Sequence, residues 1–320
     1  MNNTHNTSVQ PRLSIIIPFY NVEQYIAQCL DSVYNQDIPE DEYEVICVDD
    51  CSPDNSIRIV ERYADKHSNL VIVRNATNRK LGGARNAGME VARGNYVWFV
   101  DSDDFILPNI FNKFLSIAEE NELDMLHFNY AEYPMDVVNI KLQCDTSVTT
   151  GSSLFFSSDF IWAHDLVTAW RKIYNRHFLL ENHIHFAEHI MYEDNDYAIM
   201  AFAYANKVKH VVTKAYYYRN NPESITHVKQ TSEHIAYWLN LCHRLVALKE
   251  RLVRDKRDPR FIPLIDDFIR YHIHNVLDVY RKMDVEYKFD SRKIIYRDVD
   301  FALKPYTSRK EYLRIKLHLL

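Results

Sequence analysis

Tyr96-Val97-Trp98-Phe99-Val100-Asp101-Ser102-Asp103-Asp104 is an apolar run that ends abruptly in a cluster of carboxylates. A short run rich in β-branched and aromatic side chains reads as a strand buried on both faces. The same pattern stands upstream, where Val45-Ile46-Cys47-Val48 leads into Asp49-Asp50. Carboxylates crowded at the end of a buried strand repel one another and lose hydration, so they require a cation or a positively charged ligand nearby. Strand carboxyl ends are also where ligands bind in an open α/β sheet. Together the two clusters point to a divalent metal and a phosphorylated ligand at one edge of a parallel sheet.

Working outward, Leu13 to Ile17 is another apolar run, ended by Pro18, and Val22, Tyr25, Ile26, Cys29, Leu30, Val33 and Tyr34 then recur at helical spacing. Further strands are expected at 44–48, 70–73, 96–100 and 124–129. Helices are expected after Asp54 (with Ile57, Val60, Tyr63 and Ala64 inward), over 83–91 and over 109–121. This alternation predicts βαβ units and an α/β fold with a mainly parallel, doubly wound sheet flanked by helices. Past about residue 130 the alternation stops. Residues 131–153 read as a loop or edge hairpin, 159–205 as mostly helical and 208–218 as a strand; the chain from 232 onward reads as helical. Residues 1–10 are expected to be a frayed tail, 11–225 the sheet domain and 226–320 a helical C-terminal region, with the boundary near Asn220-Asn221-Pro222.

The 320 residues are 47% hydrophobic and 26% charged, which suits a globular protein with one main core and a smaller unit. A net charge of −6 argues against a nucleic-acid binder held by phosphate contacts. The 5 cysteines are odd in number and lack CxxC spacing, so they read as reduced and intracellular rather than as a disulfide framework or zinc site. The polar first ten residues do not read as a signal peptide, and no apolar run approaches the roughly 20 residues that span a bilayer. A cytoplasmic protein is expected.

Four blocks in order, Ser14–Asn21, Val48–Asp54, Gly83–Gly88 and Phe99–Asp104, resemble glycosyltransferase family 2. The resemblance covers about residues 12–225 and implies its GT-A (Rossmann-like) nucleotide-sugar domain, followed here by a helical C-terminal extension. It implies that Asp101 and Asp103 form a D-x-D element holding Mn²⁺ or Mg²⁺ with the donor diphosphate. Asp103 would be the direct ligand, with Asp101 on sugar, ribose or metal and Ser102 beside the donor. Alternating strand-end carboxylates can share a hard cation; an Asp-rich helix start before Pro108 is the structural alternative. Asp104 could itself be a helix N-cap.

By the same pattern Asp50 contacts the nucleobase, its carboxylate favouring the imide N–H of uracil or thymine, while Pro18, Phe19 and Tyr20 line the base pocket. Turn chemistry at Asp50–Asn55 is the alternative. Gly82-Gly83-Ala84-Arg85-Asn86-Ala87-Gly88 is neither a P-loop nor GxGxxG. Its Arg85 would offset the acidic clusters or reach the diphosphate, or pair with Asp101 for structure. Glu193-Asp194 matches the acidic pair that serves the acceptor hydroxyl in related enzymes, with Asp194 as base and Glu193 as its neighbour; without the resemblance it is an acidic helix start. Trp170 and Lys172 would lie on the acceptor side, although the indole suits core packing equally. Arg219 or His227 would contact the diphosphate or the metal, although a single histidine after a loop is usually structural. Lys304, Arg309, Lys310, Arg314 and Lys316 interleave with apolar residues, as in a helix resting on the inner membrane face or one packed on the domain.

The expected activity is inverting, metal-dependent transfer of a sugar from a nucleotide-diphosphate donor, UDP-linked by the base argument, to a glycan or lipid-linked saccharide acceptor. Nucleic acid is not expected as a partner. A nucleotidyltransferase would want a basic Gly-rich loop where this chain has Pro18-Phe19-Tyr20-Asn21, and a non-catalytic sugar-nucleotide scaffold would have no need of Asp194.

Overall fold

Every side chain of β1 (Leu13–Phe19) is buried, including that of Pro18, which does not end the strand. The computed structural model describes residues 10–134, 147–157, 167–221, 231–282, 295 and 304–306. Beyond Ile16, β1 pairs only with β2 (Tyr43–Asp49), in the register Pro18↔Val48, because β4 (Tyr96–Phe99) on its other side stops at Ile16↔Phe99. A residue without an N–H is tolerated where the ladder is open on one side.

The 8-stranded sheet runs β3 (Leu70–Arg74), β2, β1, β4, β7 (Lys172–Asn175), β6 (Met125–Tyr133), β8 (Val208–Arg219), β5 (Phe105–Ile106). β3, β2, β1 and β4 are mutually parallel. β7 runs against β4 and β6, β8 is parallel to β6, and β5 runs against β8. The chain builds outward from β1 to β3 and then crosses back to β4. The switch point therefore lies between β1 and β4, with Asp49-Asp50 and Asp101 at the carboxyl ends on either side of it.

Alternate strand residues enter opposite cores. Ile16, Ile46, Val48, Val97 and Phe99 pack with α3 (Lys80–Val91), α7 (Asp194–Tyr204), α8 (Ser232–Arg254) and α9 (Phe261–Lys282). Ile15, Ile17, Val45, Cys47 and Trp98 pack with α1 (Ile26–Tyr34), α2 (Ser56–Ala64) and α4 (Phe111–Glu120). α5 (Gly151–Phe155) joins the first core, as does α6 (Arg176–Glu181) through Phe178 and Leu179. The C-terminal helices thus share a core with the sheet: Ile235, Leu239, Ile265 and Ile269 belong to the same cluster as Ile16 and Val97.

One expectation fails here. Residues 172–175 lie within the stretch read as mostly helical yet form β7, between β4 and β6. A strand of 4 residues is too short to show a period of its own and is stabilised by its two neighbours. Residues 131–133, at the start of the stretch read as a loop or edge hairpin, continue β6 along β8 past a register shift near Asn129. Among the described residues no helix is long and apolar enough to cross a membrane.

Candidate active site

At the end of β4, the Asp101 carboxylate accepts from Arg85 at 2.7 Å, and the other side of the same guanidinium donates to Glu193 at 2.7 Å. α3 carries Arg85 and is a helix with unusually small residues on its packed face. Gly88 has no room for a side chain, since a Cβ there would lie 2.4 Å from Ile16 Cγ2. Close packing on β1 brings Arg85 beneath the strand ends, where it is fully buried and stacked on Phe186 at 5.1 Å. Burial pulls the guanidinium pKa down, but the charges of Asp101 and Glu193 outweigh it and raise it above the ordinary arginine range.

Glu193 precedes α7, and Asp194 is its first residue. Burial, reinforced by the Glu193 charge, lifts the Asp194 carboxyl to about 7, with Arg85 acting in the opposite sense. A carboxylate of that proton affinity at a helix start is suited to taking a proton near neutral pH. The segment leading to it is pinned on α3. Asn86 donates to the Phe186 carbonyl and to Glu188 at 2.9 Å, and Arg79 donates to Glu188 at 2.7 Å. A Cβ on Gly82 would lie 2.2 Å from the Ala187 carbonyl oxygen and 2.9 Å from Glu193 Cγ, both closer than hard contact allows.

The loop after β4 is clamped by β8. Asp101 N donates to the Tyr216 hydroxyl at 3.1 Å, and that hydroxyl donates to Asp104 Oδ2 at 2.7 Å. Arg219 donates through its backbone N–H to Asp104 Oδ1 and through Nε to the Asp103 carbonyl, each at 2.7 Å. Asn221 Nδ2 reaches Asp103 Oδ2 at 3.3 Å. Burial, then the Asp101 charge, holds the Asp103 carboxyl above the ordinary range. Two crowded, partly dehydrated carboxylates are a donor set that a hard divalent cation would relieve. Among the described residues no group of three or more His, Cys, Asp or Glu side chains is gathered, so further ligands would be donor oxygens or water.

At the end of β2, buried Asp50 accepts from Asn75 Nδ2 at 2.7 Å and from Arg79 N at 2.8 Å, and its carbonyl accepts from Asn78 at 3.0 Å. Turn chemistry belongs to its neighbour, since Asp49 accepts from Ser52 N at 2.8 Å.

Residues 14–178 match the family described as Glycosyl transferase family 2. The chain belongs to that family. The uncharacterized glycosyltransferase EpsJ of Bacillus subtilis (strain 168) is 33% identical over 227 residues, 68% of this chain and 64% of EpsJ. The poly(ribitol-phosphate) beta-N-acetylglucosaminyltransferase TarS of Staphylococcus aureus (strain Mu50) is 34% identical over 216 residues, 66% of this chain but 36% of TarS. The matched region is thus less than two thirds of each relative. The structure of S. aureus TarS 1–349 with UDP-GlcNAc shares the fold at a TM-score of 0.67 and 24% identity, over 90% of this chain and 80% of that one. The mannosyltransferase PcManGT from Pyrobaculum calidifontis, solved with GDP-Man and Mn²⁺, superposes at 0.56 with 18% identity, over 97% of this chain and 85% of that one. The GT-A fold is therefore that of this chain.

For a member of this family the geometry sorts the expected residues. Arg85 joins Asp101 to Glu193, and the charge of Asp194 also acts on it; Ser102 is buried, and Asp103 and Asp50 border the same strand ends. Pro18 and Phe19 are buried, the Phe19 ring in the core under α1, which leaves Tyr20, 50% exposed, as the ring open to solvent. Trp170 stacks on Tyr216 at 4.3 Å and on Tyr218 at 5.7 Å inside the core, so core packing replaces the acceptor platform. Lys172 is likewise fully buried, over Phe202 at 5.3 Å, and burial drives its pKa well below the ordinary lysine value. Neither side chain is open to solvent. Asp104 is not an N-cap: α4 begins at Phe111, and Gln36 and Asp37 accept from its first N–H groups. Arg219 is held among Tyr25, Phe105 and Tyr133, at 5.1 to 5.6 Å, and braces the loop. His227 and the basic positions beyond Tyr306 lie outside the described residues. Sequence reasoning missed Tyr216, Arg79, Asn86 and Glu188, whose roles depend on partners far along the chain.

Proposed function

We propose that this chain is an inverting, metal-dependent glycosyltransferase that moves a sugar from a UDP-linked donor to a hydroxyl of a glycan or lipid-linked saccharide. One observation carries the reading: Arg85 bonds both the strand-end Asp101 and Glu193, which directly precedes Asp194, beside the switch of the sheet. Relatives support the donor class, since TarS was solved with UDP-GlcNAc and its name gives poly(ribitol-phosphate) as acceptor.

The Asp50 carboxylate, oriented by Asn75 and the Arg79 N–H, receives the imide N–H of the base. Asp103, with Asp101 beside it, would hold Mn²⁺ or Mg²⁺; when bound, the cation neutralises charge on the departing diphosphate. Asp194 accepts the acceptor proton as its oxygen attacks the anomeric carbon, and a single displacement inverts the configuration. Glu193, committed to Arg85, is the neighbour that raises the proton affinity of Asp194 rather than a second base. We place the work in the cytoplasm, at or near the membrane face where lipid-linked acceptors are exposed.

Calorimetric titration of UDP with and without Mn²⁺, on wild type and Asp103→Ala, tests the reading. Binding that requires Mn²⁺ and disappears in the variant is expected. Failure of UDP, GDP, CDP and dTDP alike would sink it.

A further inference from the structure

The residues that bracket the proposed base are held by a helix outside the part of the chain that matches the family. Arg244, on α8, donates to the Tyr192 carbonyl at 3.1 Å and pairs with Asp196 through its other terminal nitrogen. Tyr192 stands two residues before Asp194 and Asp196 two residues after it. Trp238, one and a half turns earlier on α8, stacks on the Tyr192 ring at 3.9 Å and 20°. The same indole stacks on His272 of α9 at 4.7 Å and 24°. Tyr192 sits at φ 63°, a left-handed conformation that a bulky residue adopts only where its surroundings hold it. His189, in the same segment, is also left-handed at φ 58°. The family match ends at residue 178, so both the proposed base and its α8 supports lie beyond it.

Resting on the transferase reading above, we propose that Arg244 and Trp238 are positioning residues for Asp194, so that the C-terminal helical pair is part of the catalytic apparatus. α3 fixes one end of the base segment through Arg79, Gly82 and Asn86; α8 fixes the other by a two-point clamp on residues 192 and 196 and by a stacked ring. Arginine suits the clamp, because one planar fork serves a carbonyl and a carboxylate together. The clamp touches neither Asp50 nor Asp103. It therefore governs where the base stands and leaves donor binding alone.

The test compares Arg244→Met, Arg244→Lys, Trp238→Ala and Trp238→Phe in the full chain. UDP released from UDP-GlcNAc and UDP-glucose, with water standing in for the acceptor, gives kcat and KM; calorimetry gives UDP affinity. Arg244→Met and Trp238→Ala are expected to lower kcat about tenfold to a hundredfold, the range for a misplaced reacting group. Donor KM and UDP affinity should stay within about twofold of wild type, since a lost interaction that acts only on chemistry leaves binding intact. Trp238→Phe keeps an aromatic face and should retain most of kcat. Arg244→Lys keeps the charge and the fold but loses the fork, and should fall between. Unchanged kcat in Arg244→Lys and Trp238→Ala, or UDP affinity falling in step with kcat, overturns the proposal. A wild-type chain that binds UDP but releases none from any donor would overturn the transferase reading itself, a different result from variants that match an active wild type.

Discussion

Arg85 and Glu193 meet at 2.7 Å with both side chains almost sealed from water, 1% and 5% exposed, and the same guanidinium holds Asp101 at 2.7 Å. One buried cation thus joins the end of a sheet strand to the start of a helix that lies 108 residues beyond the arginine itself. Such a group is costly to bury alone and becomes tolerable only because two carboxylates share it.

Removing the cation leaves those carboxylates facing each other. Arg85→Met is expected to lose on the order of 3–5 kcal/mol of unfolding free energy in urea titrations, the cost of breaking a buried pair. Arg85→Met combined with Glu193→Gln should recover part of that loss. Additive losses in the double-mutant cycle would show that the two groups do not interact.

The proton affinity of Asp194 predicts a pH profile. With its carboxyl lifted to about 7, kcat/KM should rise with pH and level off above about 7. The stability consequence has the opposite sense. Between the ordinary value of 3.8 and about 7 the folded chain holds a proton that the unfolded chain has released. The contribution of this group is therefore fully present below about 4 and is lost as pH rises through about 7. Asp194→Asn should abolish the kinetic limb and flatten the stability slope in that window. A limb that persists in the variant would assign the base elsewhere.

Gly82→Ala places a methyl 2.2 Å from the Ala187 carbonyl, where backbone faces backbone and neither side can swing away. A loss of about 1–3 kcal/mol is expected from overpacking, together with lower kcat as the base segment is pushed off α3. Thermal unfolding and turnover on the same preparation check both.

Trp170→Ala separates core from acceptor site. Burial against Tyr216 and Tyr218 predicts a loss of about 3–5 kcal/mol in stability, seen in denaturant titration, with donor KM unchanged. Saturation behaviour toward an acceptor that weakened while stability held would restore the acceptor role.

Tyr216→Phe removes one hydroxyl that serves both Asp101 N and Asp104. A cost of about 1–3 kcal/mol follows from stranding a buried acceptor. UDP affinity in Mn²⁺ should fall as well, because the loop that carries Asp103 loses a tether. Calorimetry that shows full affinity would confine Tyr216 to stability.

The sequence by itself determined the strands β1, β2 and β4 and where their acidic ends fall. Leu13–Ile17 is apolar but for Ser14, and Val45–Val48 and Tyr96–Val100 are apolar throughout; a strand buried on two faces needs no distant information to be recognised. Helices such as α1 and α4 were legible for the same reason, since their periodicity is local. What only the tertiary structure decided is which partner each polar group meets. Arg85 had three readings until the strand order and the close packing of Gly88 on Ile16 set it between Asp101 and Glu193. Trp170 read equally as an acceptor platform or a core residue and Lys172 as an acceptor contact; both are buried, Lys172 in β7 between its two flanking strands and Trp170 just before it against Tyr216 and Tyr218. Asp101, Asp103 and Asp104 are chemically alike in sequence; Arg85 on one side and Tyr216 with Arg219 on the other give them different surroundings. Periodicity is carried by neighbours along the chain, whereas ion pairs and hydrogen bonds across a sheet are chosen by topology, which no local pattern encodes.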